Sequence, residues 1–285
     1  MTIKRVVPFM LLLVALLAAT ACYRTSFSSP HGYNLVRPDR TELNSSSLAE
    51  ISGIAFHGRS FDTFYAINDE HGKLFYFTRS NPKPVSAKFG RSGDYEDVTI
   101  TKEKVVVLKS DGELFVFPFS LAHQTEVDSA VTKVAQLPKS EYEGLYADST
   151  GRLYVLCKHC EADNPNKAIT VYTLVPDSAA TYRLDKTISI DVNMIKKLSD
   201  EKRMRFNPSC LAQHPITKEW YIISSVNKLL VITDPDFNVK EAYALKPNLF
   251  RQPEGLAFDA RGNMYITNEG KEDEVADLMM FPYKP

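Results

Sequence analysis

Four glutamates recur at one place in a repeated phrase. Glu50 opens Glu50-Ile-Ser-Gly-Ile-Ala-Phe56, Glu96 opens Glu96-Asp-Val-Thr-Ile100, Glu143 opens Glu143-Gly-Leu-Tyr-Ala147, and Glu254 opens Glu254-Gly-Leu-Ala-Phe258. A fifth copy, Ser209-Cys-Leu-Ala-Gln213, puts Ser209 there instead. Carboxylates brought together repel unless protons or a cation compensate. Calcium takes about 6–8 oxygen ligands in irregular geometry, whereas zinc prefers nitrogen and sulfur. Glu50, Glu96, Glu143 and Glu254 are therefore candidate metal ligands, with Ca2+ the expected ion. Aligning the turns that end the second apolar run of each copy gives a second set: Asp69, Lys109, Lys158, Ser225 and Glu269, with Asn68 and Asn268 one residue earlier. The two lysines could neutralise the glutamates, hold an anionic ligand, or pair with neighbouring acids. The chain has no Gly-x-Ser-x-Gly elbow and no glycine-rich phosphate loop. Ser209 has no evident base in the sequence, and no member of either set is assigned a catalytic role.

The elements that position these residues are short strands. The copies start at 50, 96, 143, 209 and 254, and a period of about 40–50 residues is that of four-stranded propeller blades. Apolar runs such as Thr63–Ile67, Lys73–Thr78, Lys104–Leu108 and Glu113–Phe117 are split by His71-Gly72 and Asp111-Gly112, the turn chemistry of meandering strands. The first strand of a blade lines the channel, so residues opening each copy converge at one mouth. The fifth unit runs out of chain after three strands, while Tyr33–Leu43 precedes the first unit without a blade of its own. Because an unpaired edge is a hazard, that segment is expected to complete the last blade. The long gap between units three and four contains Val192–Met204, whose apolar spacing at Val192, Met194, Ile195 and Leu198 predicts a helix packed outside the ring. The fold class is thus all-β: a five-bladed β-propeller over residues 33–285, closed by an N-terminal strand, with one helical insertion between blades 3 and 4.

The N-terminus has Lys4 and Arg5, an apolar run from Val6 to Leu17, and Ala18-Ala-Thr-Ala-Cys22. This is the pattern of a secretory signal over residues 1–21, and the run is shorter than the ~20 residues of a membrane span. The cysteine directly after small residues resembles a bacterial lipobox. That resemblance implies lipid on Cys22, a tether over 22–32, and a membrane partner reached through the anchor at the bacterial envelope, in the outer membrane with a periplasmic or surface-facing domain. Net charge is −1 with no basic block, which argues against nucleic acid. Export permits a disulfide: Cys157 with Cys160, or either of them with Cys210. Cys157-Lys-His-Cys160 lacks the second half of a zinc site.

Leu48-Ala-Glu50-Ile-Ser-Gly53, Tyr142-Glu-Gly-Leu145 and Gln252-Pro-Glu-Gly-Leu-Ala257 together resemble the SdiA-regulated (YjiK-like) family, itself distantly similar to NHL-repeat propellers. The resemblance implies a five-bladed propeller with a central calcium ion and does not imply an established activity. The expected function is a calcium-binding envelope lipoprotein whose propeller recognises an unknown small molecule or envelope protein. The alternative is a calcium-dependent hydrolase of phosphatase or esterase type acting at the axis.

Overall fold

The computed structural model describes residues 27–58, 60, 62–161, 163–177, 181–270 and 274–285. The expected signal segment and Cys22 lie outside these residues. Among them, no helix is long and apolar enough to cross a membrane.

Five antiparallel four-stranded sheets form the blades of a propeller. Blade 1 is β2 (Ile51–Ala55), β3 (Thr63–Asn68), β4 (Lys73–Thr78) and β5 (Val85–Lys88); blade 2 is β6 (Tyr95–Ile100), β7 (Lys104–Lys109), β8 (Leu114–Pro118) and β9 (Thr132–Val134). Blade 3 is β10 (Glu141–Ala147), β11 (Leu153–His159), β12 (Ala168–Pro176) and β13 (Tyr182–Asp191); blade 4 is β14 (Cys210–Gln213), β15 (Trp220–Ser224), β16 (Leu229–Thr233) and β17 (Val239–Ala244). Blade 5 takes β18 (Pro253–Phe258), β19 (Met264–Asn268) and β20 (Asp277–Phe281) from the C-terminus and β1 (Asp39–Glu42) from the N-terminus. Each inner strand contacts the next, and β18 returns to β2, so the ring closes. The two middle strands of a blade carry apolar side chains on both faces, as in Val105–Leu108 and Leu229–Ile232, because each face packs on an adjacent blade.

Near the axis the strands approach too closely for ordinary side chains. A Cβ on Gly53 would lie 2.4 Å from Asp97 Oδ1 and 2.7 Å from Asp97 Cα, so glycine is required there. Inner strands of adjacent blades do not form a ladder, and their N–H groups need other acceptors. Blade 2 supplies them to blade 3. Asp97 Oδ2 accepts from Leu145 N at 2.7 Å, and Thr99 Oγ1 accepts from Ala147 N at 3.0 Å. Asp97 stands where blades 1, 3 and 5 have Gly53, Gly144 and Gly255. Its burial pushes the carboxyl well above the usual range.

The seal is electrostatic as well as hydrogen-bonded. Strand β1 pairs antiparallel with β20, Arg40 opposite Met279. The fully buried Asp277 carboxylate accepts from Arg40 at 2.5 Å and Arg251 at 2.7 Å. Ahead of β1, Tyr33 donates to Gly262 O at 2.5 Å and packs against Tyr221, Phe258, Tyr283 and His214. Burial pushes His214 down to about 4, and its Nδ1 accepts the N–H of Thr217 at 3.0 Å, the bond of a neutral ring. Of the segment expected to close the ring, Tyr33–Leu43, only Asp39–Glu42 forms the strand.

The insertion carries helix α1 (Val192–Ser199), shorter than the expected Val192–Met204. Asp191 caps its start by accepting from Asn193 N at 2.8 Å. Asp200 ends it in the left-handed region, at φ 58°, a conformation in which no helix continues. Val192 and Ile195 are buried, while Met194 and Leu198 remain exposed. The helix packs against β17 and β12, outside the ring. Of the cysteine pairings open in the sequence, Cys157–Cys160 is the one formed; Cys210 is free and buried in β14.

Candidate functional site

Four of the five inner strands open with an irregularity in the ladder. The ladder skips one residue between Tyr95 and Asp97, between Tyr142 and Gly144, and between Pro253 and Gly255. The skipped residues are Glu96, Glu143 and Glu254. A bulge frees one residue from pairing and re-aims its side chain, here toward a shared mouth. In blade 1 the skipped residue is Ser52, between Ile51 and Gly53, and in blade 4 Ser209 directly precedes Cys210, the first residue of β14. The ring at this register is therefore Ser52, Glu96, Glu143 and Glu254 at bulges, with Ser209 in the corresponding place of blade 4.

The sequence expectation for Glu50 is corrected by this register. Glu50 lies two residues ahead of the bulge, where its carbonyl accepts from Asp69 N at 3.3 Å; Gln252 does the same for Glu269 N at 2.9 Å, and Asp94 for Ser110 N at 2.9 Å. Glu50 thus corresponds to Asp94 and Gln252, and it is exposed. The misalignment arose because Glu50-Ile-Ser-Gly53 offers a glutamate near a glycine, whereas the true counterpart of Glu254-Gly255 is Ser52-Gly53.

The same ladder orders the second set as Asp69, Ser110, Lys158, Ser225 and Glu269, so Ser110 replaces the expected Lys109. Lys109 is the last residue of β7, pairs with Asp111 at 2.6 Å, and lines a groove between blades 1 and 2 with Lys133 and Glu113. Asn68 and Asn268 are buried and brace turns: Asn68 Oδ1 accepts from His71 N at 3.0 Å, and Asn268 Nδ2 donates to Asp277 Oδ1 at 3.0 Å. Sequence reasoning passed over Ser52, Ser110 and Asp94. Only the bulge, which carries no residue signature of its own, identifies them.

The mouth is strongly acidic. Burial, followed by repulsion from Glu143 and Asp94, pushes Glu96 up to about 9. Burial also raises Glu143 to about 7, against the opposing pull of Lys158. Glu254 is raised by burial while the hydroxyls of Ser209 and Ser225 hold its charged form. The Ser209 hydroxyl also accepts from Ser225 N at 3.2 Å, so this serine, which the sequence left without a base, is committed to holding a carboxylate. On the blade 5 and blade 1 side, burial and then Glu254 raise Glu269 to about 8; burial and then Glu50 raise Asp69 to about 6. Asp69 Oδ1 is buried without a hydrogen-bond partner. Against these acids, the Lys158 ammonium forms a salt bridge with Glu143, the two side chains 30% and 11% exposed. It also acts electrostatically on Glu96 and Glu254. Beside it, Lys158, His159, Asp163 and Arg205 border a polar cavity of about 240 Å3.

The donors of this mouth are all oxygen, the chemistry of a hard divalent cation, and the raised carboxylates mark a deficit of positive charge. Among the described residues, however, no three of His, Cys, Asp and Glu close up tightly enough to hold a metal as they stand. Among the described residues, Lys158 forms a salt bridge with Glu143, and the charges of Lys158 and Lys228 both bear on Glu254.

A sequence model of the SdiA-regulated family matches residues 33–271. The chain belongs to this family. No curated protein matches the sequence. Among solved structures, this family member is similar to glutaminyl cyclase of Myxococcus xanthus, with 14% identity over 89% of this chain and 97% of that one and a TM-score of 0.56. It is similar to a luciferin-regenerating enzyme at 8% identity, covering 86% and 95% of the chains, TM-score 0.55. It is also similar to the calcium-binding protein regucalcin of Agrobacterium tumefaciens at 11% identity, covering 87% and 96%, TM-score 0.52. At these identities the likeness is one of fold: a propeller shared by proteins of unrelated activity.

Proposed function

We propose that this chain is an envelope-anchored binding module whose axial mouth takes a divalent cation, calcium, through Glu96, Glu143 and Glu254, with Ser209 and Ser225 orienting Glu254. The carrying observation is the bulge, which turns the buried Glu143 and the half-buried Glu96 and Glu254 to one mouth, where the Lys158 ammonium meets Glu143. The ion would supply charge that the protein lacks there and fix the mouth for an external ligand with anionic or carbonyl oxygens. The name of the regucalcin neighbour adds support at the level of the fold. Isothermal titration with Ca2+ tests the reading. Glu254→Gln is expected to weaken binding at least about tenfold, or about 1.4 kcal/mol, whereas Glu50→Gln, two residues off the bulge, leaves it unchanged. Equal losses at both positions, or no calcium binding by the wild type, count against the axial site.

The anchor is the second part of the proposal. Cys22 follows the apolar run and Ala-Thr-Ala, and the closing strand begins at Asp39, leaving room for a tether between lipid and propeller. Cys22→Ser is expected to move the protein from the membrane to the soluble envelope fraction. Retention of the processed variant in the membrane would refute lipidation.

A further inference from the structure

Resting on the axial-cation reading, we infer that Lys158 is a tethered counter-ion that competes with the divalent cation for Glu143 and so sets the affinity of the site. Three observations carry this. First, the second-strand ends that face the mouth bear Asp69, Ser110, Lys158, Ser225 and Glu269, each located by its ladder bond or its neighbour in register. Blade 3 therefore puts an ammonium where blades 1 and 5 put carboxylates and blades 2 and 4 put hydroxyls. Second, Lys158 is bonded to Glu143, one of the three bulge glutamates, and its charge also bears on the other two, Glu96 and Glu254. Third, its backbone is pinned. Lys158 lies between Cys157 and Cys160, which are disulfide-bonded, and the next residue, His159, pairs with Glu141 on the adjacent strand. The lysine is therefore held over the mouth by its strand.

A metal entering this mouth has to displace the ammonium from Glu143 and share space with a like charge. Either effect lowers affinity, because a cation near a cation is repelled while a freed carboxylate attracts. The displaced side chain has a place to go: the polar cavity beside it, where Glu161 and Asp163 offer acceptors. The expected result is a site of modest affinity that fills and empties with calcium concentration rather than holding a permanent structural ion.

The test compares Ca2+ titrations of wild type, Lys158→Met and Lys158→Arg by calorimetry, with calcium-dependent thermal shift as a second readout. Lys158→Met, which keeps the length and removes the charge, is expected to bind calcium at least tenfold more tightly, and Lys158→Arg to remain close to wild type. If wild type binds and Lys158→Met binds equally or more weakly, the competition is wrong while the axial site stands. If none of the three binds, the axial site falls and the competition with it. Should Lys158→Met prove poorly folded, Lys158→Gln is read in the same way.

Discussion

Replacing Asp277 by alanine is expected to lower the melting temperature by roughly 10 °C, the largest effect of a single substitution outside the apolar core. The Asp277 side chain is fully buried and bonded to Arg40, Arg251 and Asn268. Removing one partner of a buried ion pair costs about 3–5 kcal/mol. In a domain of this size each kcal/mol is worth about 2–4 °C. Arg40 is 44% exposed and recovers water when its partner is lost, whereas Arg251 is only 19% exposed, so most of the penalty falls on Arg251. The loss also has a place in the fold. Arg40 belongs to β1 and Asp277 to β20, so the substitution loosens the one ladder that joins the two ends of the chain. Hydrogen exchange should show β1 amides losing protection before those of β19. A variant melting within about 2 °C of wild type, or one that loses protection uniformly, would show that backbone pairing alone seals the ring.

In the presence of a chelator, stability is expected to fall as pH rises from about 5 to about 9. Folding raises Glu143 from 4.5 to about 7, Glu96 from 4.5 to about 9, and Glu269 from 4.5 to about 8. Such groups bind more protons folded than unfolded, so their contribution is complete below the unfolded value and is lost as pH climbs through the folded one. The total over the mouth is on the order of a few kcal/mol, since each tenfold change in proton affinity is worth about 1.4 kcal/mol and the acids interact. Calcium should restore much of this loss at the alkaline end, by about 2.7 kcal/mol at a hundredfold excess over its dissociation constant, and do little near pH 5. His214 acts in the opposite sense: its neutral, buried ring contributes fully above 6.5, and that contribution is lost as pH falls toward about 4. Because three raised carboxyls outweigh one lowered imidazole, stability without calcium is expected to be highest near or just below pH 5. Melting curves across this range, with and without calcium, check the prediction. A chelated protein as stable at pH 9 as at pH 6 would show that the mouth carries no unbalanced charge.

Much of this molecule is written locally. Strand length, turn residues and the period of the repeated phrase are short-range properties, so the number of blades follows from the sequence, as does a closing strand for a unit that ends one strand short. The helix start is local too, since the Asp191 side chain reaches only the amides of the turn directly after it. The helix stop was less legible: the apolar spacing runs only to Leu198, and the left-handed turn at Asp200 ends the helix short of Met204. The repeated phrase locates Glu96, Glu143 and Glu254 for the same local reason, because each directly precedes the strand residues beyond its bulge. What the sequence could not decide is register. A bulge is one residue present on one strand and absent on its partner, so it exists only between two strands. That is why Glu50 and Ser52, and Lys109 and Ser110, exchange places once β2 and β7 are paired. The tertiary structure alone decided that the mouth holds three bulge glutamates rather than four. It also decided that Asp97 accepts the N–H of Leu145 on the next blade as well as that of Val98, which depends on the distance between blades, and that Lys158 meets Glu143, which depends on the register of β10 against β11.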